Sequence, residues 1–305
     1  MKIKQILLFL ISLLLFNCSS NDEIIVGQQG ETTETIYTLP IVVHIIHTGE
    51  EIGTGYNLSN ERIIGQLKTL NDDFRKKEGT LGYNDHPLGT DVKIEFNLAE
   101  ITPDGNPTDG INRVNIHDIV IDTDNDWFFD GLPNYGYWNK QDYINIWVFP
   151  FEPNRILGQS SVPLVDLPGL NDANPNGTTG ILITTPHFGT SDVVGGANLG
   201  RSLTHEMGHF LGLEHLWGKT ENANCMEFDD YCEDTPSVSR RTGNCDGTPS
   251  TSCNGESVLT QNYMDYTNDA CMNMFTRDQV TRMRYVLKNS TVRKSLIISS
   301  TINRN

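Results

Sequence analysis

The chain has 305 residues, enough for one large domain or two modest ones. Its 39 Asp and Glu outnumber its 22 Lys and Arg, for a formal net charge of -17; phosphate binding needs basic patches, so this balance argues against a nucleic-acid partner. With 37% hydrophobic and 20% charged residues, the composition is that of a globular protein able to bury a sizeable core.

Residues 1–17 read as a targeting segment and are left out of fold reasoning. Lys2 and Lys4 open it, and residues 6–16 are apolar except for Ser12, a run too short to cross a bilayer comfortably. It ends at Leu15-Phe16-Asn17-Cys18, which resembles the lipobox of bacterial lipoproteins. That resemblance implies a lipid anchor at Cys18 and an outer-membrane or cell-surface location; a plain signal peptide is the alternative, and either one means export. The acidic Ser19-Ser20-Asn21-Asp22-Glu23 is similar to export tags of surface lipoproteins in some Gram-negative bacteria. Residues 18–36 are polar and read as a flexible tether.

Beyond the tether, residues 39–47 are rich in β-branched side chains and predict a buried strand. Ser59 is placed to cap a helix, and Ile63, Leu67, Leu70 and Phe74 recur at helical spacing to about Lys77. Residues 92–101 alternate as a strand does, and residues 143–149 and 180–185 are further strand candidates. A helix is predicted over about 199–211, and Thr276 opens a last one with Val280, Met283 and Leu287 on one face. No linker interrupts residues 37–290, so one catalytic domain is expected there, followed by a tail at 291–305. Strands and helices mix without regular alternation, which indicates an α+β class.

The segment from His205 to His215 reads His-Glu-Met-Gly-His-Phe-Leu-Gly-Leu-Glu-His. One helical turn separates His205 from His209, so both imidazoles can reach one ion. Glu206 is offset beside that ion, where a base for a water belongs. Gly212 lets the backbone leave the helix and bring His215 round as a third ligand. Three protein ligands on zinc leave a position open for water, the arrangement of a catalytic site.

This pattern is the metzincin signature. Within the metzincins, the chain resembles the pappalysin, or cytophagalysin, family. The residues that carry the resemblance are the zinc motif, Asp234-Thr235-Pro236, the Met-turn-like Asn262-Tyr263-Met264-Asp265-Tyr266, Asp269-Ala270-Cys271, and Phe275-Thr276. The resemblance implies a two-lobed zinc peptidase domain. A twisted, mostly parallel sheet with helices lies above the cleft and an irregular, disulfide-stapled lobe below. It further implies Met264 as an apolar floor under the zinc, and Tyr266 as a possible donor to the oxyanion. Disulfides Cys225–Cys253 and Cys245–Cys271 follow from the family pattern, with Cys232 left over; by sequence alone four cysteines allow three pairings. Structural calcium is implied near Asp229, Asp230, Glu233, Asp234 and Thr235, with Asp230, Asp234 and Thr235 the expected ligands; a solvated acidic loop is the alternative. Asp269 is placed in the primed-side pocket, where a carboxylate favours Arg or Lys at P1'.

The expected activity is zinc endopeptidase action on protein or peptide substrates, by a monomer, with Glu206 as general base. Substrate would extend along the edge of the sheet at residues 158–163. A non-catalytic surface-binding lipoprotein that keeps the zinc is the alternative; Glu206 speaks against it, because a binding module needs no base. A thermolysin-type peptidase would take a distal Glu instead of His215. Residues 19–38 contain no Cys, so no thiol switch of latency is expected.

Overall fold

A computed structural model describes residues 35–117, 131–150, 156–171, 173, 177–221, 229–243 and 252–302. The targeting segment, Cys18 and nearly all of the tether lie outside the described residues, as do Cys225 and Cys245.

A six-stranded sheet organises the molecule. The strands are β1 (Tyr37–His47), β2 (Ile94–Leu98), β3 (Ile111–Asn115), β4 (Ile144–Phe149), β5 (Gly158–Ser160) and β6 (Ile181–Thr184). The order is β2-β1-β4-β6-β5, with β3 also paired to β1. The first half of β1 pairs with β2 (Tyr37↔Ile94) and the second half with β3 (Val43↔Ile111), while β4 takes its other edge. All these pairings are parallel; only β5 runs antiparallel, along the edge of β6. Every residue of β4 and β6 is buried, the burial expected of parallel strands covered on both faces and the reason they read as continuous apolar runs. Strand β3 was not anticipated: Ile111-Asn-Arg-Val-Asn115 is only half-buried and mixes polar with apolar residues.

A buried polar pair, His44 of β1 and Asn145 of β4, sits inside this largely apolar sheet. His44 of β1 lies 2.9 Å from Asn145 Oδ1 through Nε2 and 2.9 Å from Asn112 Nδ2 through Nδ1. An amide oxygen on Nε2 and an amide NH2 on Nδ1 require the neutral Nε2–H tautomer. The ring therefore ties β1 to β3 and β4 while uncharged, and burial lowers its pKa to about 4.

Three α-helices are described. Helix α1 (Asn60–Phe74) begins where the Ser59 hydroxyl accepts from the Arg62 backbone N–H, as anticipated. It ends at Phe74 rather than near Lys77, because Lys76 takes a left-handed φ of 43°. Helix α2 (Arg201–Phe210) follows β6 and carries the zinc motif. Helix α3 (Arg277–Asn289) starts with a capping box in which Thr276 and Gln279 satisfy each other's backbone N–H groups. The core joins the sheet to all three helices through residues such as Ile41, Leu70, Phe96, Met207 and Met283. Residues 291–302, set apart above as a tail, belong to this body. Leu296 is in the core, Arg293 is buried, and Thr301 accepts from the Glu100 backbone N–H.

Candidate active site

Helix α2 is gripped at both ends. At its start, Asp269 Oδ2 accepts from the backbone N–H groups of Leu199 (2.7 Å) and Arg201 (3.2 Å). A carboxylate there complements the positive end of the helix dipole. The helix is tied to α1 as well, by Arg201 Nη2 donating to Asp73 Oδ1 (3.2 Å) and Thr204 Oγ1 to Asp73 Oδ2 (2.8 Å). At its end, Gly212 takes φ 93°, and the N–H groups of Gly212 and Leu213 return to the carbonyls of His209 and Gly208. These two bonds make a Schellman motif. Two buried arginines of the C-terminal segment complete this end: Arg293 Nε donates to Phe210 O (3.1 Å) and Arg282 Nε to Gly212 O (2.7 Å).

The turn at Gly212 brings His215 back to the helix. The Nε2 atoms of the three histidines lie 3.1 Å (His205–His209), 3.1 Å (His209–His215) and 3.3 Å (His205–His215) apart. Tetrahedral ligands at the usual zinc–nitrogen distance stand about 3.3 Å from each other. The outer nitrogens fix the tautomers: His205 Nδ1–H donates to Tyr263 O (2.6 Å) and His209 Nδ1–H to Leu213 O (2.8 Å). Those two Nε2 lone pairs therefore face inward at a separation that only a cation between them relieves. Burial lowers the His205 pKa to about 3 and, with the neighbouring His209 and His205, that of His215 to about 2, so the rings are neutral as ligands must be. Among the described residues, this trio is the only group of three or more His, Cys, Asp or Glu whose ligand atoms converge.

Glu206 is buried beside the trio, and burial alone pushes its pKa up to about 8. A divalent cation alongside acts in the opposite direction and favours the carboxylate. Edge strand β5 comes so close that a Cβ on Gly158 would sit 2.7 Å from Glu206 Cγ. Glycine at that position lets the edge strand run directly past this carboxylate.

The floor comes from the segment Asn262–Tyr266. Met264 is fully buried, and a Cβ on Gly208 would approach its Sδ to 2.5 Å, so the glycine inside the motif makes room for the methionine. Asn262 holds the segment: its Oδ1 accepts from Met264 N–H (2.9 Å), and its amide exchanges hydrogen bonds with Gln279 of α3. Tyr266 packs edge-on against His215 (4.8 Å) and Trp217 (4.9 Å), while Trp217 stacks on His215 at 4.5 Å. Trp217 was not singled out from the sequence; its place two residues after the last histidine was the available signal.

To one side of Glu206 the cleft opens into a cavity of about 390 Å³ lined by Leu157, Arg201, Arg241, Tyr266, Asn268 and Asp269 among others. On the other side, residues 158–160 of β5, Val162, Glu214, His215 and Lys219 line a second hollow. Asp269 is thus both helix cap and cavity wall.

Of the acidic group expected to hold calcium, Asp230 and Thr235 bond to each other, and Asp234 Oδ1 is buried with no hydrogen-bond partner. Thr235 Oγ1 lies 2.7 Å from both carboxylate oxygens of Asp230, Cys232 N–H donates to Asp230 Oδ1 (3.1 Å), and Asp278 N–H donates to Asp234 Oδ2 (3.0 Å). Burial raises the Asp230 pKa well above the usual carboxylate range. Cys253 and Cys271 are each disulfide-bonded, and Cys232 is a buried free thiol, the expected odd cysteine.

Comparison with known proteins agrees with this geometry. The Peptidase_M43 family model, described as pregnancy-associated plasma protein-A, matches residues 134–288. The chain belongs to this family of metalloendopeptidases. An extracellular metalloprotease of Arthroderma otae is 36% identical over 251 residues, covering 81% of this chain and 76% of the relative. Mature mirolysin of Tannerella forsythia, solved with a cleaved peptide, superposes with a TM-score of 0.74 at 30% identity, over 88% of this chain and 99% of that one. A second mirolysin structure, with a bound compound, gives the same TM-score at 32% identity over 88% and 100%. Zinc is the metal this family implies, and the neutral, converging imidazoles fit it.

Proposed function

We propose that the chain is an exported, lipid-anchored endopeptidase in which His205, His209 and His215 hold zinc and Glu206 is the general base. The observation that carries this reading is the set of three Nε2 atoms 3.1–3.3 Å apart beside a buried carboxylate. Zinc held there supplies Lewis acidity toward a water and toward the scissile carbonyl. Glu206 accepts the proton of the attacking water and hands it to the leaving amine nitrogen. The Tyr266 hydroxyl donates to the developing oxyanion. Substrate lies extended against β5, whose outer edge is free of a strand partner among the described residues. Asp269 in the cavity wall selects Arg or Lys at P1' by its charge. The mirolysin complex with a cleaved peptide supports peptide substrates.

The names of the extracellular relatives support export. Cys18 as lipid attachment, the pairs Cys225–Cys253 and Cys245–Cys271, and a monomeric state complete the reading. Calcium at Asp230, Asp234 and Thr235 is the finer part of the reading: the Asp234 Oδ1 atom is buried without a hydrogen-bond partner, whereas Asp230 and Thr235 bond to each other. The test is cleavage of casein or a basic peptide by purified protein with and without a zinc chelator, alongside metal analysis. Chelator-sensitive cleavage with one zinc per chain is expected; a zinc-loaded protein that cleaves nothing would favour the surface-binding alternative.

A further inference from the structure

Arg241 and Glu221 belong to no motif, yet they close the cleft beside Tyr266. Arg241 Nε donates to Glu221 Oε1 (2.9 Å), its Nη2 to Oε2 (2.8 Å), and its backbone N–H to Oε1 (3.0 Å). The guanidinium so held stands 5.3 Å from the centroid of the Tyr266 ring. The next residue adds a second tie. Thr242 N–H donates to Asp265 Oδ1 (2.9 Å), which also accepts from Tyr266 N–H (2.7 Å). Tyr266 is 41% exposed, and its ring contacts are edge-type with His215 and Trp217 and tilted with His205, with no face-to-face stack, so packing alone restrains it weakly.

We propose that Arg241, oriented by Glu221, is a positioning residue that keeps the Tyr266 hydroxyl presented to the cleft. The inference rests on the oxyanion role given to Tyr266 above. A guanidinium suits the task better than an ammonium, because its planar fork binds a carboxylate bidentately while its face covers the ring. The rival use of Arg241, as a direct contact for a substrate carboxylate, follows from its place in the cavity wall.

The test compares Arg241→Met, Arg241→Lys, Glu221→Gln, Tyr266→Phe and the Arg241→Met/Tyr266→Phe double variant in the zinc-loaded protein. Two readouts are needed: kcat and KM on one neutral peptide, and the Kd of a phosphinic peptide that mimics the tetrahedral intermediate. Arg241→Met is expected to lower kcat and weaken phosphinic binding by about two- to fivefold with KM unchanged. Glu221→Gln gives a smaller loss of the same kind, and Arg241→Lys restores only part. In the Tyr266→Phe background the Arg241 substitution then has no further effect. A rise in KM, or an equal loss with and without the Tyr266 hydroxyl, overturns the proposal. Tyr266→Phe leaving both readouts at the wild-type value would instead remove the oxyanion role itself, and the positioning role with it.

Discussion

The two walls of the cleft are held by different forces. In the upper wall, β5 is hydrogen-bonded to the six-stranded sheet and α2 packs into the core through Leu203, Met207 and Phe210, with polar ties at its ends. The lower wall, residues 262–269, contains no helix and no strand beyond an isolated bridge at Asn262. There the backbone is held by side chains one at a time: Asn262 with Gln279, Asp265 with Thr242, Asp269 with the start of α2. The difference teaches that the upper wall is held mainly by many shared contacts, whereas the lower wall sets geometry through a few polar groups, each open to removal.

The sharpest break between the two comes from Glu206→Ala. It removes the base from the rigid wall and leaves the packing in place. Peptide cleavage is expected to fall about 10²–10⁴-fold, with bound zinc and Tm unchanged. A comparable loss of zinc in that variant would mean that Glu206 supports the metal rather than the reaction.

The sheet has its own weak point in acid. His44 unfolded titrates near 6.5, and folded at about 4. Between those values the unfolded chain binds the extra proton, so stability falls as pH falls, and the loss is complete below about 4. The shift corresponds to roughly 3 kcal/mol. The Tm of metal-free wild type, followed from pH 7 to 4 against that of His44→Gln, is expected to show the steeper decline in the wild type. Parallel profiles would remove His44 as the cause.

Asn262→Ala tests the lower wall. It leaves the Met264 N–H and the Gln279 side-chain NH2 buried without their partner, while Gln279 Oε1 keeps the Thr276 N–H, at a cost of roughly 2 kcal/mol. Because the neighbouring Tyr263 carbonyl orients His205, zinc affinity should drop along with Tm. A stability loss with zinc affinity intact would show that the metal site does not depend on this wall.

The same contrast governs what could be read without coordinates. Periodicity and capping signal the main strands and helices, because the backbone rules that make them repeat along the chain: Ser59 caps α1, Thr276 caps α3, and β4 is apolar but for Asn145. The zinc motif is legible for the same reason, since one helical turn and one glycine bring its three imidazoles together. Strand β3 is half-buried and lacks an apolar signature, so it was missed. Arg241 and Glu221 pair at a distance of twenty sequence positions, with no period to reveal them. The acidic cluster carries oxygen ligands in the right residue types, but sequence cannot tell whether a carboxylate spends its lone pairs on an ion or on a neighbouring Thr235 hydroxyl.

Asp269 belongs to both walls, so its substitution separates two roles at the smallest cost. As a cap it accepts from the backbone N–H groups of Leu199 and Arg201 at the start of α2, and as a cavity wall it would present charge to the primed side in the proposed reading. Asp269→Asn removes the charge, but an amide oxygen can still accept from Leu199 and Arg201. The helix-dipole part of the loss is therefore about 1 kcal/mol in stability. The charge-assisted part should reduce preference for Arg over Gln at P1' by about tenfold, read as the ratio of kcat/KM on two peptides that differ only there. Unchanged selectivity with a lowered Tm would confine Asp269 to the helix end, and the basic preference would need another carboxylate on the primed side.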